Sequence, residues 1–401
     1  MSSLARKRVL ILGASRYYSA SIAAAKRAGY EVVAVDRTPN SPGFAIADDS
    51  AVIDIVDVER VLRYATEQHV DGIVPLNDYG VPTAAAVAER LGLPGISSAV
   101  AERATRKSSM RACWIAAGVP CPRVELALTA NEIPAAAQLV GYPCILKPAH
   151  GIGGASRGVV VVSTPAELAS AISFSTSFYA DQATLVESFV DSLMEHSAEV
   201  LIVNGEPEVL VIADKVKSPL PYRVDQSVLY PTVLTGADHA RAVATVRSAV
   251  KAIGISLGAA HVELATTASG CVLFELGARP GGGGTPEPIV QWVTGRDYLA
   301  DVVRSHVGDS LAPSERRALR GATYHFLTPA PGVVDRVEGL DAVRARTDVL
   351  DVDVLVAAGQ TIAPVRVGTD RAGFVITGAE TRDQAYAAAL VADSMVKFVV
   401  R

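Results

Sequence analysis

Apolar and polar positions along this chain follow two rhythms. Up to about residue 93, compact apolar runs (VLIL at 9–12, VVAV at 32–35, IVPL at 73–76) alternate with alanine-rich helical stretches. That order, strand then helix then strand, predicts the parallel sheet of an α/β domain. A helical stretch over 103–119 ends at Gly118, and the following VPCPRV, with two prolines, predicts an extended connection. Next come YPCILKP, a glycine-rich loop, GVVVV, the helix TPAELASAISFS and the strand ATLVESFV, a small strand-rich unit with one covering helix, shaped like a lid. From 195 to 216 the pattern alternates around a turn at Asn204-Gly205, a hairpin signal in a larger antiparallel sheet. The helix DHARAVATVRSAVKAIG and the strands GAAHVELATT and GCVLFELG continue that unit, and after Gly321 short strands and a closing helix predict a separate C-terminal subdomain. The divisions expected are 1–102, 103–186, 187–320 and 321–401.

Composition narrows the function classes. The chain has 401 residues, half of them hydrophobic, and a net charge of -5 with lysines and arginines scattered, so it offers no basic face to nucleic acid or anionic lipid. No apolar run reaches membrane-spanning length, which with the short polar start leads to the expectation of a cytoplasmic protein working on small molecules. Cys113, Cys121, Cys144 and Cys271 make no CxxC pair and read as reduced thiols. The turn after the first strand is GASRYYS; lacking the second and third glycines of GxGxxG, it does not support a dinucleotide site, even with Asp36 at the ribose position.

The chemistry concentrates in ILKPAHGIGGASRGVVVV, residues 145–162. Gly151, Gly153, Gly154 and Gly158, with Ala155 and Ser156, leave successive backbone N–H groups open to anionic oxygens, and Lys147 on the entering strand can set an ammonium against the same phosphates. Glu263 in HVELA and Glu275 in FELGARP stand on two neighbouring apolar strands, where each carboxylate needs a cation. Mg²⁺ bridging nucleotide phosphates is one partner that suits them, and structural salt bridges are the other. Arg279 can fork onto a phosphate or carboxylate, and Gly281 to Gly284 again bare the backbone.

Taken in order and spacing, Lys107, ILKPAHGIGGASRGV, LVESFV with EHSAEV, HVELA and FELGARPGGGG resemble the ATP-grasp superfamily over essentially the whole chain. Within it the segment 213–234, the glycine loop and the tail YHFLTPAPGVV look most like the L-amino acid ligases. The resemblance implies an α/β fold in which an N-terminal parallel sheet domain precedes a small lid and a large antiparallel-sheet subdomain that grip ATP, followed by a C-terminal subdomain. It implies that Lys107 and Lys147 hold the phosphates under a loop including Gly151, Gly153, Gly154, Ala155 and Ser156. By the same resemblance Glu187, Ser188, Phe189 and Val190 read adenine, Glu195 holds the ribose, Glu263 and Glu275 bind one or two Mg²⁺ ions, and Arg279 stabilises the phosphoryl group in flight. Lys215, Tyr222, Arg223, Arg279, Gly282 and Gly283 become candidate substrate contacts, while His261 reads as packing or support for Glu263. The implied reaction joins a small carboxylate to an amine through an acyl phosphate, with a homodimer common among proteins of this kind. A bicarbonate-using carboxylase and a nucleotide-binding module without turnover are the rival readings. One position departs from the pattern: Gly277 stands where the family usually has asparagine, two residues after the second glutamate, so a metal ligand is missing.

Overall fold

The protein is described by a computed structural model covering residues 6–150, 154–311 and 317–401. The opening strands form a parallel sheet in the order Asp49–Val52, Glu31–Asp36, Arg8–Leu12, Gly72–Pro75. Apolar runs, not alternation, suit these strands because both faces are covered. Leu10, Leu12, Val33 and Val35 pack on one side, and Val9, Ile11, Val32 and Ala34 on the other. The strand ends open onto the segment 76–79, which runs into the helix Gly80–Leu91.

A four-stranded antiparallel sheet makes the lid, in the order Val124–Ala127, Thr184–Ser188, Cys144–Pro148, Val160–Val162. Two helices cover it where the sequence predicts one: Leu168–Thr176 and also Ile133–Val140, whose Ile133, Ala136, Ala137 and Val140 are all buried. Residues 103–119 were expected to belong to this unit, and the structure corrects that. The helix Lys107–Ala116 packs into the core of the large sheet, with Trp114 fully buried and its indole N–H donating to the Ala249 carbonyl at 3.2 Å.

The large sheet has eight antiparallel strands: Gly270–Gly277, Ala259–Thr267, Met194–Val203, Glu206–Lys217, Asp225–Tyr230, Gly321–Leu327, Gly373–Ala379 and Val349–Val354. The hairpin turns at Asn204 and Gly205, with φ of 53° and 79°, the left-handed pair that matches strand twist. Ala198, Val200, Val262 and Leu264 face the helix Gly236–Ile253 across one side of the sheet. The last three strands belong to the tail; instead of standing apart, it extends the sheet through the pairing of Val228 with Tyr324. No helix among the described residues is long and apolar enough to cross a membrane.

Candidate functional site

Strand alternation decides which side chains meet. Glu195, Ser197 and Glu199 lie on one face of Met194–Val203, opposite Ala265, Glu263 and His261 on the neighbouring strand. Glu263 is in turn paired directly with Glu275. Two like charges facing each other across a ladder repel unless a cation intervenes. Lysines fill that role here: Lys215 binds Glu263, and Lys107 binds Glu275 at 2.8 Å. The two glutamates are about one-third exposed (33% and 36%) whereas the lysines are nearly enclosed (4% and 8%), so the carboxylates line an accessible cleft and the ammonium groups back them. Burial alone would lower the Lys107 ammonium, but Glu275 outweighs it and holds it above the usual range. Glu263 is the reverse case: burial would raise its carboxyl, and Lys215 with His261 brings it well below.

Lys147 and Glu187 come from adjacent lid strands and meet at 2.5 Å; the other carboxylate oxygen of Glu187 accepts from Arg111 Nε at 2.8 Å. Arg111 follows Lys107 by one helical turn and donates onward to the Phe274 carbonyl, beside Glu275. Burial keeps the Lys147 ammonium below its usual range despite Glu187 and the more distant charge of Glu275. The two lysines and two strand glutamates therefore converge on one cleft. The Glu187 side chain, expected to read adenine, instead holds Arg111 with one carboxylate oxygen and Lys147 with the other. Glu195, expected at the ribose, accepts from Arg223 at 2.5 Å and meets Lys217 at 3.1 Å.

Gly151 and Gly153 lie outside the described residues. Gly154, Ala155 and Ser156 are left-handed in succession (φ 63°, 59°, 55°), and the Ala155 carbonyl accepts from the Gly368 N–H of the tail at 2.7 Å. Of the candidate substrate contacts, Lys215 pairs with Glu263 and lies 3.5 Å from Asp225, Arg223 pairs with Glu195, and Tyr222 stacks on Phe174 of the lid with centroids 4.9 Å apart. Gly283 lies so close to Tyr324 that a Cβ would stand 2.5 Å from its hydroxyl, while Gly282 faces open space.

Several residues at the site are not among those that the sequence motifs single out. Glu199 is buried, and its carboxylate accepts from His261 Nδ1 at 2.5 Å and from the Gly281 N–H at 3.0 Å, so it orders the last glycine loop. Burial would lower His261, yet Glu199 raises it to about 9. The alternation Glu195, Ser197, Glu199 in EHSAE was the available signal. Asp78, from the segment after the fourth parallel strand, takes Arg279 in a two-point ion pair: Nε at 3.0 Å and Nη2 at 2.7 Å. Its signal was position, since open parallel sheets build sites beyond the carboxyl ends of their strands. The space at Gly277 is also explained: a Cβ there would lie 2.8 Å from Asp78 Oδ1 and 3.1 Å from Arg279 Cζ.

Three stretches of the chain match known domain families. Residues 22–95 match the ATP-grasp N-terminal domain, 140–287 the ATP-grasp domain, and 325–401 the L-amino acid ligase C-terminal domain 2. The chain is 27% identical over 372 residues to uncharacterized protein y4rH of Sinorhizobium fredii, covering 91% of this chain and 74% of that one. It is 31% identical over 187 residues to a formate-dependent phosphoribosylglycinamide formyltransferase of Rhodococcus jostii, where the match spans 46% of each chain. Among solved structures, the L-amino acid ligase from Bacillus licheniformis superposes with a TM-score of 0.86 at 24% identity, covering 99% of both chains. The N5-carboxyaminoimidazole ribonucleotide synthetase from Thermotoga maritima follows at 0.74 and 20%, over 98% of this chain and 100% of that one. The chain therefore carries an ATP-grasp N-terminal domain and an ATP-grasp domain, followed by an L-amino acid ligase C-terminal domain 2.

Proposed function

We propose that the protein is an ATP-dependent carboxylate–amine ligase that activates a small acid, an amino acid or a relative of one, as an acyl phosphate and gives it to an amine. The observation that supports this most is the set of paired charges in the cleft. Each phosphate-seeking lysine is matched in the ligand-free protein by a carboxylate, Lys107 by Glu275 and Lys147 by Glu187. Lys107 and Lys147 would hold the phosphates of a bound nucleotide in exchange for these carboxylates, and Glu263 and Glu275 would hold its divalent cation.

Those two acids fit magnesium. Among the described residues no group of three or more acidic, histidine or cysteine side chains could hold a metal alone, and magnesium with nucleotides uses one or two carboxylates and completes its shell with phosphate and water. When bound, it would neutralise charge on the transferring phosphate. Lys147 and Arg279 would add fixed positive charge around the same group, and the lid would keep water from the acyl phosphate. The amine then attacks the acyl carbon, phosphate leaves with the bonding pair, and the ammonium proton passes to solvent.

Phosphate release separates the readings. MgATP with a pool of amino acids should release phosphate above the no-acceptor rate; release with bicarbonate alone would identify a carboxylase, and silence in every arm a binding module.

A further inference from the structure

Arg279 has five N–H donors, and three of them have partners among the described residues. Nε and one hydrogen of Nη2 go to the two oxygens of Asp78, and Nη1 donates to the Pro280 carbonyl at 3.0 Å. What remains is one N–H on each terminal nitrogen, enough to grip an oxyanion at two points. Asp78 belongs to the N-terminal sheet domain, 201 residues away in sequence, and its side chain is only 14% exposed. Its turn is fixed by Asn77, whose side-chain oxygen accepts from the Gly80 N–H at 2.9 Å. Its Oδ1 lies 2.8 Å from where a Cβ at position 277 would begin, so it fills the room that a side chain at 277 would need.

We propose that Asp78 is a positioning residue: from the N-terminal domain it locks the Arg279 guanidinium in the orientation that meets the transferring phosphoryl group, and glycine at 277 is the vacancy that admits it. The inference rests on the proposed role of Arg279 in phosphoryl transfer. An arginine free to swing would meet the phosphate only part of the time, and misplacement by an ångström costs on the order of 100-fold in rate. Asp78 touches neither substrate nor nucleotide in this scheme, so its loss should appear in turnover and not in nucleotide affinity.

The test is phosphate release by the full chain with MgATP and an amino-acid pool, run alongside calorimetric MgADP binding and thermal unfolding. Asp78→Asn, which keeps shape and loses charge, should lower kcat by about tenfold or more while leaving the KM for ATP and the MgADP Kd within about twofold. Asp78→Glu should recover part of the lost kcat. The inference is overturned if Asp78→Asn turns over normally, if only the KM for amino acid rises, or if MgADP affinity and melting temperature fall in step with kcat. Arg279→Ala separates the two levels. If it keeps normal kcat, the role of the arginine itself is wrong; if it loses kcat and Asp78→Asn does not, only the positioning claim falls. A wild-type chain without turnover sinks both.

Discussion

Replacing Glu187 with glutamine tests the charge arrangement most directly. The carboxylate is 1% exposed and is the anionic partner shared by Lys147 and Arg111, themselves 7% and 1% exposed. Glutamine keeps the volume, so no cavity forms, but two enclosed cations lose their counter-charge. Nη1 of Arg111 already lacks a hydrogen-bond partner among the described residues, leaving that side chain little slack. Removing one member of a buried pair costs about 3–5 kcal/mol. With an unfolding entropy of about 2.1 cal/mol/K per residue, a chain of 401 residues shifts by roughly 1.2 °C per kcal/mol, so the melting temperature should fall by about 4–6 °C. MgATP should return part of the loss, because its phosphates give Lys147 a new anion; a ligand at 100 times its Kd contributes about 2.7 kcal/mol. Lys147, which burial already holds low, would also give up its proton more easily, so nucleotide affinity of the variant should weaken as pH rises. Thermal unfolding with and without nucleotide, and titration calorimetry at two pH values, would read these effects. Unfolding within 2 °C of wild type, with unchanged nucleotide stabilisation, would refute the account.

Lys147→Ala and Glu275→Ala should abolish ATP-dependent phosphate release while the circular dichroism spectrum stays native; normal turnover in either folded variant removes the site assignment. Gly277→Asn, which restores the usual residue of the superfamily, should impair rather than strengthen the site, since its Cβ would press on Asp78 and Arg279; a magnesium titration showing tighter binding and higher kcat would contradict this. His261 is raised from its ordinary 6.5 to about 9, so the stability it lends is complete below pH 6.5 and drains away as pH climbs through 9, by about 3 kcal/mol at most. Urea unfolding of the nucleotide- and metal-free protein at pH 6 and 9.5 should show that loss and show it diminished in His261→Asn; parallel pH curves for the two proteins would count against it.

Local patterning carried most of the architecture. Continuous apolar runs mark the doubly covered parallel strands, and Asn-Gly marks the turn of the hairpin, whose strands are buried on both faces over much of their length. The two glutamates were legible because a charged residue inside an apolar strand is costly, and the two lysines because they belong to a spaced motif. What stayed hidden was whatever depends on long-range pairing. That Lys107 rides on a helix built into the large sheet follows from Trp114 packing against Val246 and Val250, contacts more than 130 residues apart in sequence. The Asp78–Arg279 pair spans 201 residues, and nothing in either neighbourhood names the other. Nor does sequence say that Glu187 pairs with Arg111, since only the tertiary fold brings that helix and that strand together across 76 residues.

The eight-stranded sheet has a practical consequence for engineering. Because the tail pairs with Ser227, Val228, Leu229 and Tyr230, cutting the chain near residue 320 would strip that strand of its partner and bare a row of unsatisfied amides and carbonyls beside Val228 and Tyr230. A shortened form should therefore clump instead of surviving as a trimmed enzyme. Chimeras with relatives are better spliced where the lid departs from the sheet than at the tail, however modular the last 77 residues look when matched alone.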